Sequence, residues 1–104
     1  MKKAVVWFMG LGLVLAIAVI SYSADATAGK AIYTAQKCQM CHSIAGVGNK
    51  KSPLDGVGAK LKAEEIKKWI KTPKEMKAAT TMKAYPTLPD KQLEDLTAYL
   101  LTLK

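Results

Sequence analysis

Arginine is absent from this chain of 104 residues, histidine occurs once and cysteine twice. The 16 positive residues are therefore all lysines, set against 8 acids for a formal net charge of +8. Without a guanidinium fork there is no bidentate grip on phosphate, which argues against nucleic-acid recognition and for a solvated, weakly specific basic surface. Two cysteines and one histidine fall short of the four ligands that a structural zinc site normally takes. No stretch beyond residue 26 alternates apolar and polar residues as a half-buried strand would, and no repeat or low-complexity tract occurs. The βαβ setting of a thioredoxin-like dithiol is thus missing as well.

The three rare residues stand together, in Cys38-Gln39-Met40-Cys41-His42. Two thiols and an imidazole at this spacing read as a covalent c-type haem attachment site. Cys38 and Cys41 then form thioethers with the two vinyl groups, the two-residue spacer curls the backbone so that both sulfurs reach one porphyrin edge, and His42 lies under the iron. A dithiol redox centre is the alternative reading of the cysteines. Met40 is a spacer, too close to His42 to reach the opposite haem face. Because His42 is the sole histidine, the sixth iron position belongs to another residue type or stays open.

The N-terminus reads as a targeting segment. Lys2 and Lys3 precede an uncharged apolar run from Ala4 to Ile20, and Ala24-Asp25-Ala26 supplies a small-x-small cleavage pattern. Residues 1–26 are expected to be a signal peptide cleaved after Ala26, and residues 27–104 the functional domain. An uncleaved anchor through residues 4–20 is the alternative, because the run is longer than an ordinary signal core yet shorter than a comfortable span. In both cases the lysines stay cytoplasmic and the domain faces the periplasm or exterior. The remaining 78 or so residues are few for a self-sufficient core, and a covalently held cofactor would supply the missing apolar mass.

Three helices are expected after residue 26. The first covers about Ala28 to Lys37 and delivers the chain to Cys38. The second covers Ala63 to Lys71, with Ile66, Trp69 and Ile70 on one side and Glu64 and Glu65 in a first turn suited to the helix dipole. The third runs from Pro89 or Asp90 to Leu103, with Leu93, Leu96, Leu100 and Leu103 on one stripe. Glycines and Pro53 make residues 43–60 an irregular loop. A second irregular segment, Met76 to Leu88, holds the candidate sixth ligand. Met82 is favoured because a loop followed by a helix can aim it at the iron; Met76, three residues past Pro73, is the alternative, and core filling is the ordinary role of either. A thioether opposite an imidazole suits electron transfer better than oxygen chemistry.

With these residues in view, the chain resembles the small monohaem class I cytochromes c over essentially all of residues 27–104. Cys38, Cys41 and His42 match the haem motif; Gly29 with Tyr33 is similar to the family's N-terminal helix contact, Tyr99 to its C-terminal partner, and Met82 with Tyr85 to its distal loop. The resemblance implies an all-α cytochrome c fold wrapped around one covalently bound haem c, with His42 and Met82 as iron ligands. It also implies that the Pro53 carbonyl accepts a hydrogen bond from the His42 ring, and that Trp69 packs on the haem and reaches a propionate. Ser52 before Pro53, Lys83 after Met82, and Lys62 where a hydroxyl would cap the second helix depart from the family pattern. The expected function is one-electron carriage between redox proteins outside the cytoplasmic membrane, by a monomer that carries out no catalysis itself and meets partners through an acidic patch on them. The rivals are a haem sensor or enzyme with an open sixth site, and a tethered haem subunit of a membrane oxidoreductase.

Overall fold

The computed structural model describes residues 24–104. The expected targeting helix and the tether through residues 4–20 lie outside the described residues. Five α-helices occur among the described residues: α1 (Ala26–Ala35), α2 (Val57–Lys60), α3 (Ala63–Lys71), α4 (Pro73–Met76) and α5 (Asp90–Leu101). None of them is long and apolar enough to cross a membrane.

Helix α1 starts earlier than its apolar spacing alone suggests, because Asp25 caps it. The carboxylate Oδ1 accepts the N–H groups of Thr27 at 2.9 Å and Ala28 at 3.2 Å, satisfying donors that have no intrahelical partner. The Asp25 N–H in turn donates to Asp95 Oδ1 on α5 at 2.8 Å. The folded unit therefore reaches back to Asp25, inside the segment expected to be removed. At its other end α1 gives way to Lys37, whose φ of 60° turns the chain into the left-handed region and toward Cys38.

Helices α1 and α5 pack most extensively against each other. Gly29 makes this approach feasible. A methyl group there would collide with the Asp95 carbonyl oxygen and stand 2.7 Å from Tyr99 Cβ. One turn on, Tyr33 meets Tyr99 edge to face, ring centroids 5.9 Å apart at 62°. This is the contact implied by the family resemblance. The buried core comprises Tyr33 together with Ile66 and Ile70 of α3, Leu88, and Leu93, Leu96 and Leu100 of α5. Each fully buried aliphatic side chain is worth roughly 1.5–3 kcal/mol.

Helix α3 occupies its expected residues. Lys62 offers no acceptor for a cap, but Glu65 Oε1 reaches back to the Lys62 N–H at 2.9 Å, half of a capping box. Helix α5 stops at Leu101, short of Leu103, because Thr102 Oγ1 donates to the Tyr99 carbonyl at 2.6 Å and the chain turns. The Leu103 carbonyl then accepts the Gly58 N–H at 2.8 Å, tying α2 to the C-terminus.

Residues 43–60 are more ordered than a loop. A short antiparallel ladder pairs β1 (Ser43–Ile44) with β2 (Val47–Gly48). The turn between them has φ of 51° at Ala45 and 80° at Gly46, both positive as a two-residue type I′ turn requires. Asp55 Oδ1 holds the strained Ala45 by accepting its N–H at 2.8 Å. Strands this short leave no alternation to read in the sequence.

Candidate cofactor site

Cys38–Met40 form a single 3-10 turn. The N–H groups of Cys41 and His42 both donate to the Cys38 carbonyl, at 3.1 and 3.0 Å. This curl brings Cys38, Cys41 and His42 to the wall of one cavity of about 570 Å³. Asn49 clamps the turn from the hairpin: its N–H is shared between the Gln39 and His42 carbonyls, and its Nδ2 donates to the Met40 carbonyl at 3.2 Å. Gly48 permits that approach, since a Cβ there would strike the His42 carbonyl and φ is +109°. From the sequence Gly48 reads only as one of several loop glycines, and nothing there singles out Asn49.

His42 Nδ1 lies 3.0 Å from the Ser52 carbonyl oxygen. A carbonyl only accepts, so the ring proton is on Nδ1 and Nε2 keeps its lone pair for a metal. The partner is Ser52, not Pro53 as the resemblance implied. The register is set by a parallel bridge between Ser43 and Pro53, in which the Leu54 N–H donates to the Ser43 carbonyl at 2.8 Å and Ser43 N–H to the Ser52 carbonyl at 3.3 Å. Pro53 is exposed and absent from the cavity wall. Its ring biases Ser52 toward an extended backbone, the conformation in which that carbonyl faces the imidazole.

The remaining walls are apolar. Leu54, Val57 and Leu61 come from the α2 region, Ile66, Trp69 and Ile70 from α3, and Leu96 and Leu100 from α5. Trp69 is half-buried at the cavity wall. Met82 also lines the cavity, brought there by the irregular segment after α4. Met76 instead ends α4 and is not part of the wall. Met40 is 68% exposed, as a spacer should be.

Burial dominates the electrostatics of the thiol edge. It pushes the half-buried Cys38 thiol above its ordinary range and raises the Tyr33 hydroxyl to about 12, the neighbouring Cys38 adding to the latter. Lys37, Lys51, Lys77 and Lys83 stand at the cavity wall, and no carboxylate does. All four lysines are exposed.

A large apolar cavity bounded by two thiols, an imidazole with a free Nε2 and a thioether fits a c-type haem in size class and donor set. The fold and the site together define a small monohaem cytochrome c. A family model described as cytochrome C oxidase, cbb3-type, subunit III matches residues 24–100, and the chain belongs to that family. Cytochrome c oxidase subunit 2 of Alkalihalophilus pseudofirmus is 28% identical over 88 residues, which is 76% of this chain. The chain spans only 26% of that relative's length. A solved structure of SoxXA from P. pantotrophus shares the fold with a TM-score of 0.70 and 22% identity, covering 81% of this chain and 85% of that one. The domain accordingly serves haem-based electron transfer.

Proposed function

We propose that this chain is a one-electron carrier whose haem is fixed by thioethers at Cys38 and Cys41 and whose iron is held between His42 and Met82. The observation that carries the reading is the convergence of all four side chains on one cavity from two separate segments, while Met76 and Met40 stay off its wall. Bound haem supplies a reversible one-electron couple, and histidine–methionine ligation raises its potential. The protein's own part is to hold and tune. Ser52 fixes the His42 tautomer; the leucines, isoleucines and Trp69 would keep water from a bound haem, and Trp69 would offer its indole N–H to a propionate. With His42 and Met82 holding the iron, the site would leave no position open for substrate, and the chain would perform no catalysis itself.

The four lysines at the cavity wall support docking of a partner with an acidic patch close to the point of electron exit, by steering that salt weakens. The apolar run from Ala4 to Ile20 supports a periplasmic or outward-facing location, and a monomer suffices for the role. A second reading, a haem domain fixed to a membrane oxidoreductase, is favoured by the oxidase-subunit names of the family and of the A. pseudofirmus relative.

The test is an optical spectrum of the oxidised and reduced holoprotein, extended to the weak near-infrared methionine-to-iron band. Met82→Ala should abolish the band and let carbon monoxide bind the ferrous protein rapidly, whereas Met76→Ala should change neither. A band that survives Met82→Ala refutes the ligand assignment. Rapid carbon monoxide binding to the unaltered protein would instead indicate an open-site sensor or enzyme. The mass and the membrane partitioning of the mature protein separate carrier from tethered subunit.

A further inference from the structure

The segment that carries Met82, between α4 and α5, has no regular secondary structure. Among the described residues, the hydrogen bonds of 77–84 stay local: Lys77 N–H to the Pro73 carbonyl, Thr80 N–H to the Lys77 carbonyl, Met82 N–H to Thr80 Oγ1 at 3.2 Å. Tyr85, three residues past Met82, is different. Its N–H donates to the Ile70 carbonyl of α3 at 2.9 Å. Its hydroxyl donates to the carbonyl of Gln36 at 3.3 Å, a long bond that lands two residues before Cys38. The Lys83 ammonium sits over the same ring, 5.4 Å from its centroid. One residue thus ties the distal loop to α3 through its main chain and to the segment that leads into the haem motif through its hydroxyl.

We propose that Tyr85 is the positioning residue that latches Met82 over the cavity, so that its hydroxyl governs how readily an outside ligand displaces the thioether. The proposal rests on His42/Met82 ligation. A loop secured at one point opens by local unfolding, without loss of the α1–α5 pairing. Removing the hydroxyl bond should favour the open loop by a factor typical of one net hydrogen bond. Burial raises the Tyr85 hydroxyl's pKa, so it remains a donor across ordinary pH.

The experiment titrates imidazole into the ferric holoprotein and follows the methionine-to-iron band. Tyr85→Phe keeps the ring beneath Lys83 and the main-chain bond to Ile70. It should leave the band intact without imidazole and raise imidazole affinity about fivefold. Tyr99→Phe, which alters a phenol on α5 outside the cavity wall, should leave that affinity unchanged. If Tyr85→Phe binds imidazole within twofold of the unaltered protein while both show the band, the latch is wrong and the ligand assignment stands. An equal rise in Tyr99→Phe would trace the effect to general softening and also overturn the latch. A band missing from the unaltered protein would remove the Met82 assignment and the latch with it.

Discussion

Taking the haem away should leave a chain that cannot keep this fold. The cavity occupies about 570 Å³ at the junction of α1, α3, α5 and the distal loop. At about 24 cal/mol per Å³ of hollow left in a core, an empty space of that size costs roughly 14 kcal/mol. Water entering the open side lowers the figure, but the leucine and isoleucine walls give it few partners, so a large part of the cost remains. A small domain has about 5–15 kcal/mol of net stability in all. The loss is therefore comparable to the whole, before any bond between the chain and the iron is counted. The assay is far-ultraviolet and near-ultraviolet dichroism of chain made without haem, alongside holoprotein. The expected result is a largely unfolded spectrum, with any residual helix confined to the α1–α5 pair, whose Gly29–Asp95 crossing does not involve the cavity. A native-like spectrum with a cooperative thermal transition would refute the reasoning.

Three further outcomes follow from the helix pairing. Gly29→Ala gains about 1 kcal/mol of helix propensity but forces α1 away from the Asp95 carbonyl and the Tyr99 Cβ, for a net loss of about 1–3 kcal/mol; a holoprotein melting temperature at or above that of the parent would contradict the close approach. A chain beginning at Thr27 loses the Asp25 cap and should melt about 4–8 °C below one beginning at Ala24; equal melting would show that the cap contributes nothing. The Lys91 ammonium and then the Asp25 N–H hold the Asp95 carboxyl below its ordinary value of 3.8. A lowered folded-state pKa means the stabilisation is fully present above that value and is lost as pH falls below it toward the folded-state pKa. Asp95→Asn should therefore be less stable than the parent at neutral pH, with the gap closing below about pH 4 in acid-unfolding curves; a gap independent of pH would count against the ion pair.

The parts of this protein that were legible in the sequence are those set by neighbours along the chain. Ile66, Trp69 and Ile70 recur with the period of a helix, and α3 occupies the residues that this period and its charged first turn indicated. Leu93, Leu96 and Leu100 did the same for α5. The site was legible where chemistry is carried by rare residues: Cys38, Cys41 and His42 line the cavity, as do Trp69 and Met82. What was misjudged depends on which backbone atom meets which side chain. Ser52 rather than Pro53 faces the imidazole, because the Ser43–Pro53 bridge sets the register, and side-chain identity says nothing about that choice. The hairpin at Ser43–Gly48 has two residues per strand, too few for a periodic signal.

The sequence by itself pointed to the cofactor class, since two thiols and a single imidazole within five residues leave little other chemistry, and it offered His42 as the candidate proximal ligand. These 104 residues hold no second imidazole, which narrowed the distal candidates within them to two methionines. Only the tertiary structure sets the two apart, with Met82 at the cavity wall and Met76 at the end of α4. It alone joined Asp25 to Asp95, 70 positions apart, and Tyr85 to Gln36, 49 apart. Such pairings have no local periodicity to announce them. They form because burying the apolar faces of α1, α3 and α5 against one another brings these segments together, and the hydrogen bonds then select among the approaches that burial allows.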